Sequence, residues 1–121
     1  MSAGEARMAK PPVSVTEAEL WGFFEKGPER DEIGGMSFIV VRPPYAVAFG
    51  LNAEHHDVSI AVTLDGFKVY ELVALSVPDV RWRGDGARER IEVVMGDKHS
   101  VFLEINPTVA VTHHSGVVVR I

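Results

Sequence analysis

Residues 45–64 read Y-A-V-A-F-G-L-N-A-E-H-H-D-V-S-I-A-V-T-L and run into D-G-F-K-V-Y-E-L-V-A at 65–74. Tyr45, Val47, Phe49 and Leu51 alternate with Ala46, Ala48 and Gly50, and Val58, Ile60, Val62 and Leu64 alternate with Ser59, Ala61 and Thr63. Neighbouring side chains on a strand point to opposite faces, so this period of two predicts two strands with their large residues in a core. The small face is either plain solvent surface or a place where a helix or ligand comes close. Asp65-Gly66 suits a two-residue type I′ hairpin, which needs positive φ at both central positions.

Working outward, the same pattern predicts strands at 36–42, 45–52, 57–64, 67–76, 79–83, 88–95, 100–106, 108–113 and 117–121. They are rich in Val, Ile and Phe and are separated by short turns, with Gly96-Asp97 as a second turn. The spacing after residue 35 leaves no room for crossover helices, so the sheet is expected to be antiparallel. The predicted fold is mainly β, an antiparallel β-sandwich or small barrel with one N-terminal α-helix.

That helix is predicted at 16–26. Thr16 and Glu19 form a capping box, and Val15 and Leu20 bracket the cap as a hydrophobic staple. Leu20, Trp21 and Phe24 are expected on its buried side, with Gly27 closing the last turn and Pro28 blocking continuation. Residues 25–35 read as a charged loop. Residues 1–12 read as a flexible N-terminal arm and 13–121 as a single β-rich domain.

The totals bound the function. The chain has 121 residues, 46% hydrophobic and 24% charged, the composition of one globular domain. It has no cysteine, which excludes disulfides and thiolate metal sites. The formal charge of −5 argues against general nucleic-acid binding. No apolar run is long enough to span a membrane, and the start carries no secretory pattern, so a cytoplasmic location is expected.

Two groups of residues invite a site. His55, His56, His99, His113 and His114 are the first, because imidazole binds zinc and related ions. Adjacent residues on a strand face opposite ways, however, and the useful His-x-His spacing does not occur. The nucleophile elbow, the phosphate-binding loop and the dinucleotide fingerprint are all absent. The sequence therefore leans away from an enzyme and calls for no cofactor.

The second group is V-R-W-R-G-D-G-A-R-E-R-I-E at 80–92. A four-residue loop at 84–87 pairs Arg83 with Arg88, Trp82 with Glu89 and Arg81 with Arg90, leaving Arg81, Arg83, Arg88 and Arg90 on one face beside Trp82. Guanidinium groups suit carboxylates and phosphates, so this face is the candidate partner- or anion-binding site. The competing expectation is that residues 29–32, Asp79 or Glu92 neutralise it from within. The function expected is a small soluble non-catalytic interaction module, inhibitor- or immunity-like or an adaptor, recognising another protein and able to self-associate through sheet edges. The alternatives are a histidine-dependent, metal-binding β-barrel enzyme or small-molecule binder, and an anion or nucleotide sensor using the arginines.

Overall fold

The computed structural model describes residues 11–85 and 88–115. The order of elements is α1 (Glu17–Phe24), β1 (Glu29–Arg30), β2 (Gly35–Arg42), β3 (Tyr45–Asn52), β4 (Asp57–Leu64), β5 (Phe67–Ala74), β6 (Asp79–Asp85), β7 (Arg88–Gly96), β8 (His99–Glu104) and β9 (Ala110–Ser115). They form two antiparallel sheets, β1-β2-β3-β4-β5 and β6-β7-β8-β9. Among the described residues the chain adopts the predicted mainly β, antiparallel class with one N-terminal helix. Among the described residues no ladder joins the two sheets into a barrel.

The alternation at 45–64 does what its period dictates. Val47, Phe49 and Leu51 of β3 and Val58, Ile60 and Val62 of β4 are buried, and the other sheet adds Val80, Ile91, Val93, Val101 and Leu103 to the same core. Asp65 and Gly66 take φ of 49° and 85°, as the tight hairpin requires. At the second turn Gly96 still pairs with His99, so the turn falls on Asp97-Lys98, one residue later than expected.

The helix begins as predicted. Thr16 accepts from the Glu19 amide at 3.1 Å, and Glu19 accepts from the Thr16 amide at 2.9 Å. Val15 and Leu20 are both buried. Its other end is shorter than expected, because Glu25 takes the left-handed conformation (φ 60°) before Gly27 is reached. Gly27 serves a different need: a Cβ there would lie 2.4 Å from the Trp21 ring. The buried stripe is Leu20, Phe23 and Phe24 rather than Leu20, Trp21 and Phe24. Trp21 sits about 100° around the helix from Leu20 and so falls off that stripe. Phe24 stacks on Phe38 at 4.8 Å and lies 5.4 Å from Phe49, which docks α1 on the inner faces of β2 and β3.

Other boundaries moved. The expected loop at 25–35 contains β1, whose Glu29 and Arg30 pair with Ser37 and Met36. Strand β5 stops at Ala74, and Ser76 turns the chain with φ 54° while its amide donates to Asp57 at 3.0 Å. Strand β9 starts two residues later than predicted, after a connection carrying buried Ile105 and exposed Pro107. The strand predicted at 117–121 and residues 1–10 of the expected arm lie outside the described residues.

Candidate partner-binding face

The β6–β7 hairpin places the four arginines on one face, with a different register from the one expected. Arg83 pairs with Arg90, Arg81 with Glu92, Trp82 with Ile91 and Asp85 with Arg88. Gly84 and Asp85 are strand residues rather than loop. The slip is two residues, so every side chain keeps its face. Arg81, Arg83, Arg88 and Arg90 still share the outer face of the four-stranded sheet, and Val80, Ile91 and Val93 still point inward.

The outer face is an ordered array of ions. Asp79 accepts from the Arg81 Nε at 3.0 Å, and Glu92 accepts from the Arg83 Nε at 2.8 Å. Glu104 accepts from the Nη2 of Arg88 with both oxygens at 2.8 Å. Arg90 lies 4.4 Å over the Phe102 ring, a cation–π stack. Of the acids proposed as internal partners, Asp79 and Glu92 fill that role. The 29–32 loop does not, since Arg30 pairs with Glu17 and Asp31 caps its own turn through the amides of Ile33 and Gly35.

Two carboxylates beneath the arginines are held ionised. Burial would push Glu92 up, but hydrogen bonds from Ser100 (2.6 Å) and Arg83, with the charges of Arg83 and Arg81, hold it below the usual carboxylate range. Burial likewise opposes ionisation of Asp79, and it is outweighed by bonds from the hydroxyl and amide of Ser14, from Arg81 and from the Val80 amide, which bring it down to about 2. These carboxylates orient the arginines more than they cancel them. Arg81 and Arg83 are each held at Nε alone, and among the described residues their terminal nitrogens make no hydrogen bond.

Trp82 is on the other side of β6. Its ring folds over Gly84, where a Cβ would meet it at 2.2 Å, and its Nε1 donates to Glu89 at 3.0 Å. It packs against the edge of the core and lines one end of a cavity of about 540 Å³ shared with Arg83, Gly84, Arg90, Glu92 and Phe102. Phe102, Ser100 and Glu104 were missed as site residues. Their signal is legible in V-F-L-E at 101–104, where an aromatic and an acid occupy the face opposite buried Val101 and Leu103.

The histidines do not gather. His55 is exposed in the β3–β4 turn. His56 takes φ 61°, which turns its ring inward, where both nitrogens lie 2.8 Å from carbonyl oxygens, Nδ1 from Val77 and Nε2 from Pro11. His99 and His113 have ring centroids 5.9 Å apart, and His113 shares a 2.8 Å hydrogen bond with Tyr70, whose phenol is pushed up by burial. His114 pairs with Ser100 on the opposite face. Among the described residues no three His, Asp or Glu side chains are placed to hold one ion.

No family model and no curated protein sequence matches the chain. Its fold is similar to that of a chain in the contact-dependent growth inhibition toxin–immunity protein complex from Klebsiella pneumoniae 342. The TM-score is 0.75 at 16% identity, over 84% of this chain and 95% of that one. At this identity the likeness is one of fold alone.

Proposed function

We propose that this chain is a non-catalytic protein-recognition module of the inhibitor or immunity type, and that it meets an acidic partner surface with the outer face of the β6–β9 sheet. One observation carries this reading. Arg83 and Arg90 stand directly opposite each other in the ladder, an arrangement that costs stability. Among the described residues Arg90 makes no hydrogen bond and Arg83 makes one, through Nε. Two adjacent guanidinium groups therefore keep most of their donors for an outside acceptor, and a partner carboxylate seated between them relieves the repulsion. Glu92 and Phe102 hold the pair in place before binding, which lowers the ordering cost of association. The fold likeness supports the reading, since the similar chain comes from a complex of two proteins.

The experiment is recovery of the tagged chain from its native cells at low and at raised salt. A stoichiometric protein that is released as salt rises, and whose toxicity in cells this chain suppresses, is the expected result. A chain recovered alone at low salt would overturn the proposal.

A further inference from the structure

The opposite side of the sandwich carries a second surface. On the outer face of the five-stranded sheet three rows cross from β2 to β5: Ser37–Gly50–Ser59–Val73, Ile39–Ala48–Ala61–Glu71 and Val41–Ala46–Thr63–Lys68. In these rows the two middle strands show only Gly, Ala, Ser and Thr, and Asn52 and Asp57 close the same face at one end. At Gly50 a Cβ would lie 2.5 Å from the Ser59 hydroxyl, so a larger residue there would have to turn that hydroxyl aside. The flanking strands carry exposed branched residues, with Ile39 50%, Val41 61% and Val73 66% accessible and Leu75, just past β5, 72%. The result is a trough walled by Ile39 and Val41 on β2 and by Val73 and Leu75 at one end of β5, with the Lys68–Glu71 ion pair along the rest of the β5 wall, and among the described residues nothing packs into it.

Its dimensions suit one kind of occupant. Strands lie about 4.8 Å apart, so the walls on β2 and β5 stand three spacings, or about 14 Å, from each other. An α-helix with its side chains is about 10–12 Å across. Eight-residue strands run about 26 Å, the length of about 18 helical residues. Charge selects further. Glu29, Asp31 and Asp57 line a cavity of about 540 Å³ at one end of the trough, with Ile33, Val73 and Leu75 beside them. Arg30 is the one cation lining that cavity, and it is already paired with Glu17. The Glu29 carboxylate has no hydrogen-bond or ion-pair partner among the described residues. A second copy is a poor occupant, because each chain carries −5 and like net charge opposes self-association.

We infer that this trough takes an amphipathic α-helix of a partner protein, with small and apolar residues on the buried stripe and Lys or Arg at the end that meets Glu29 and Asp57. This surface is independent of the arginine face, and one interaction can fail while the other stands.

The test is an amide chemical-shift titration of the full chain with two amphipathic peptides of about 18 residues, identical except that one carries Lys where the other carries Glu. The Lys peptide is expected to shift Ala48, Gly50, Ser59 and Ala61 and to bind at least roughly tenfold more tightly than the Glu peptide. Ala48→Lys and Glu29→Lys are each expected to weaken it while leaving the melting temperature and the amides around Arg83 unchanged. Equal binding of both peptides, shifts centred on Arg83 and Arg90, or no shifts at all would overturn the assignment. So would a concentration-dependent dimer dissolved by Ala48→Lys, or trough amides that move on deletion of residues 1–10 without peptide.

Discussion

Replacing Asp79 with Asn isolates a polar anchor that accepts four hydrogen bonds. Its carboxylate accepts from the Ser14 amide at 2.7 Å, the Ser14 hydroxyl, the Val80 amide at 2.9 Å and the Arg81 Nε at 3.0 Å. It therefore ties the segment leading into α1 to the start of β6, a link reinforced by the Val15 amide on the Val80 carbonyl at 2.8 Å. These bonds bring Asp79 from an ordinary 3.8 down to about 2, against the opposing effect of burial. The gap corresponds to about 2 kcal/mol of folding stability at neutral pH. The folded state holds this carboxylate ionised more strongly than the unfolded state does, so the contribution is present above about pH 4 and is lost as pH falls towards 2. By pH 3 roughly half of it should be gone. Asp79→Asn is thus expected to lower the melting temperature by about 8 °C at pH 7, taking about 4 °C per kcal/mol for a domain of this size. Urea denaturation of both proteins at pH 7 and pH 3 reads the effect directly, and Glu92 titrates in both and cancels. An unchanged midpoint at pH 7, or a stability difference that stays constant down to pH 3, would refute the reasoning.

Thr16→Ala should remove the N-cap acceptor and one half of the capping box, costing about 1 kcal/mol in the denaturation midpoint, with Thr16→Ser restoring most of it. His56→Ala should cost about 2 kcal/mol by removing a buried ring and leaving a carbonyl of Val77 or Pro11 without its donor, whereas His55→Ala should stay within about 0.5 kcal/mol, so a melting comparison of the two adjacent histidines separates them.

Much of the sheet was legible because its information is local. Strands β3 and β4 follow from the strict alternation of large and small residues, and the Thr16 cap follows from three-residue spacing alone. The arginine face was legible for a subtler reason: a hairpin register wrong by two residues leaves the parity of Arg81, Arg83, Arg88 and Arg90 intact. The register itself was not legible, because G-D-G-A is compatible with more than one loop length. Ser14 and Asp79 meet across 65 positions, and Arg88 meets Glu104 from another strand; neither contact leaves a local trace. His55 and His56 are chemically equal in the sequence, and only the left-handed backbone at His56 decides which ring is buried. Strand β1, two residues long, is too short for any period to reveal.

The arginine face can be tested most directly by changing Arg83 and Arg90 together to Ser and measuring melting temperature and partner recovery side by side. Glu92 keeps its bond from Ser100 but loses the one from Arg83, and relief of the Arg83–Arg90 opposition offsets part of that cost, so stability should fall by no more than about 2 kcal/mol. Recovery of the partner at low salt should fall sharply. A marked loss of melting temperature with undiminished partner recovery would show that the arginines serve the fold alone and would contradict the account.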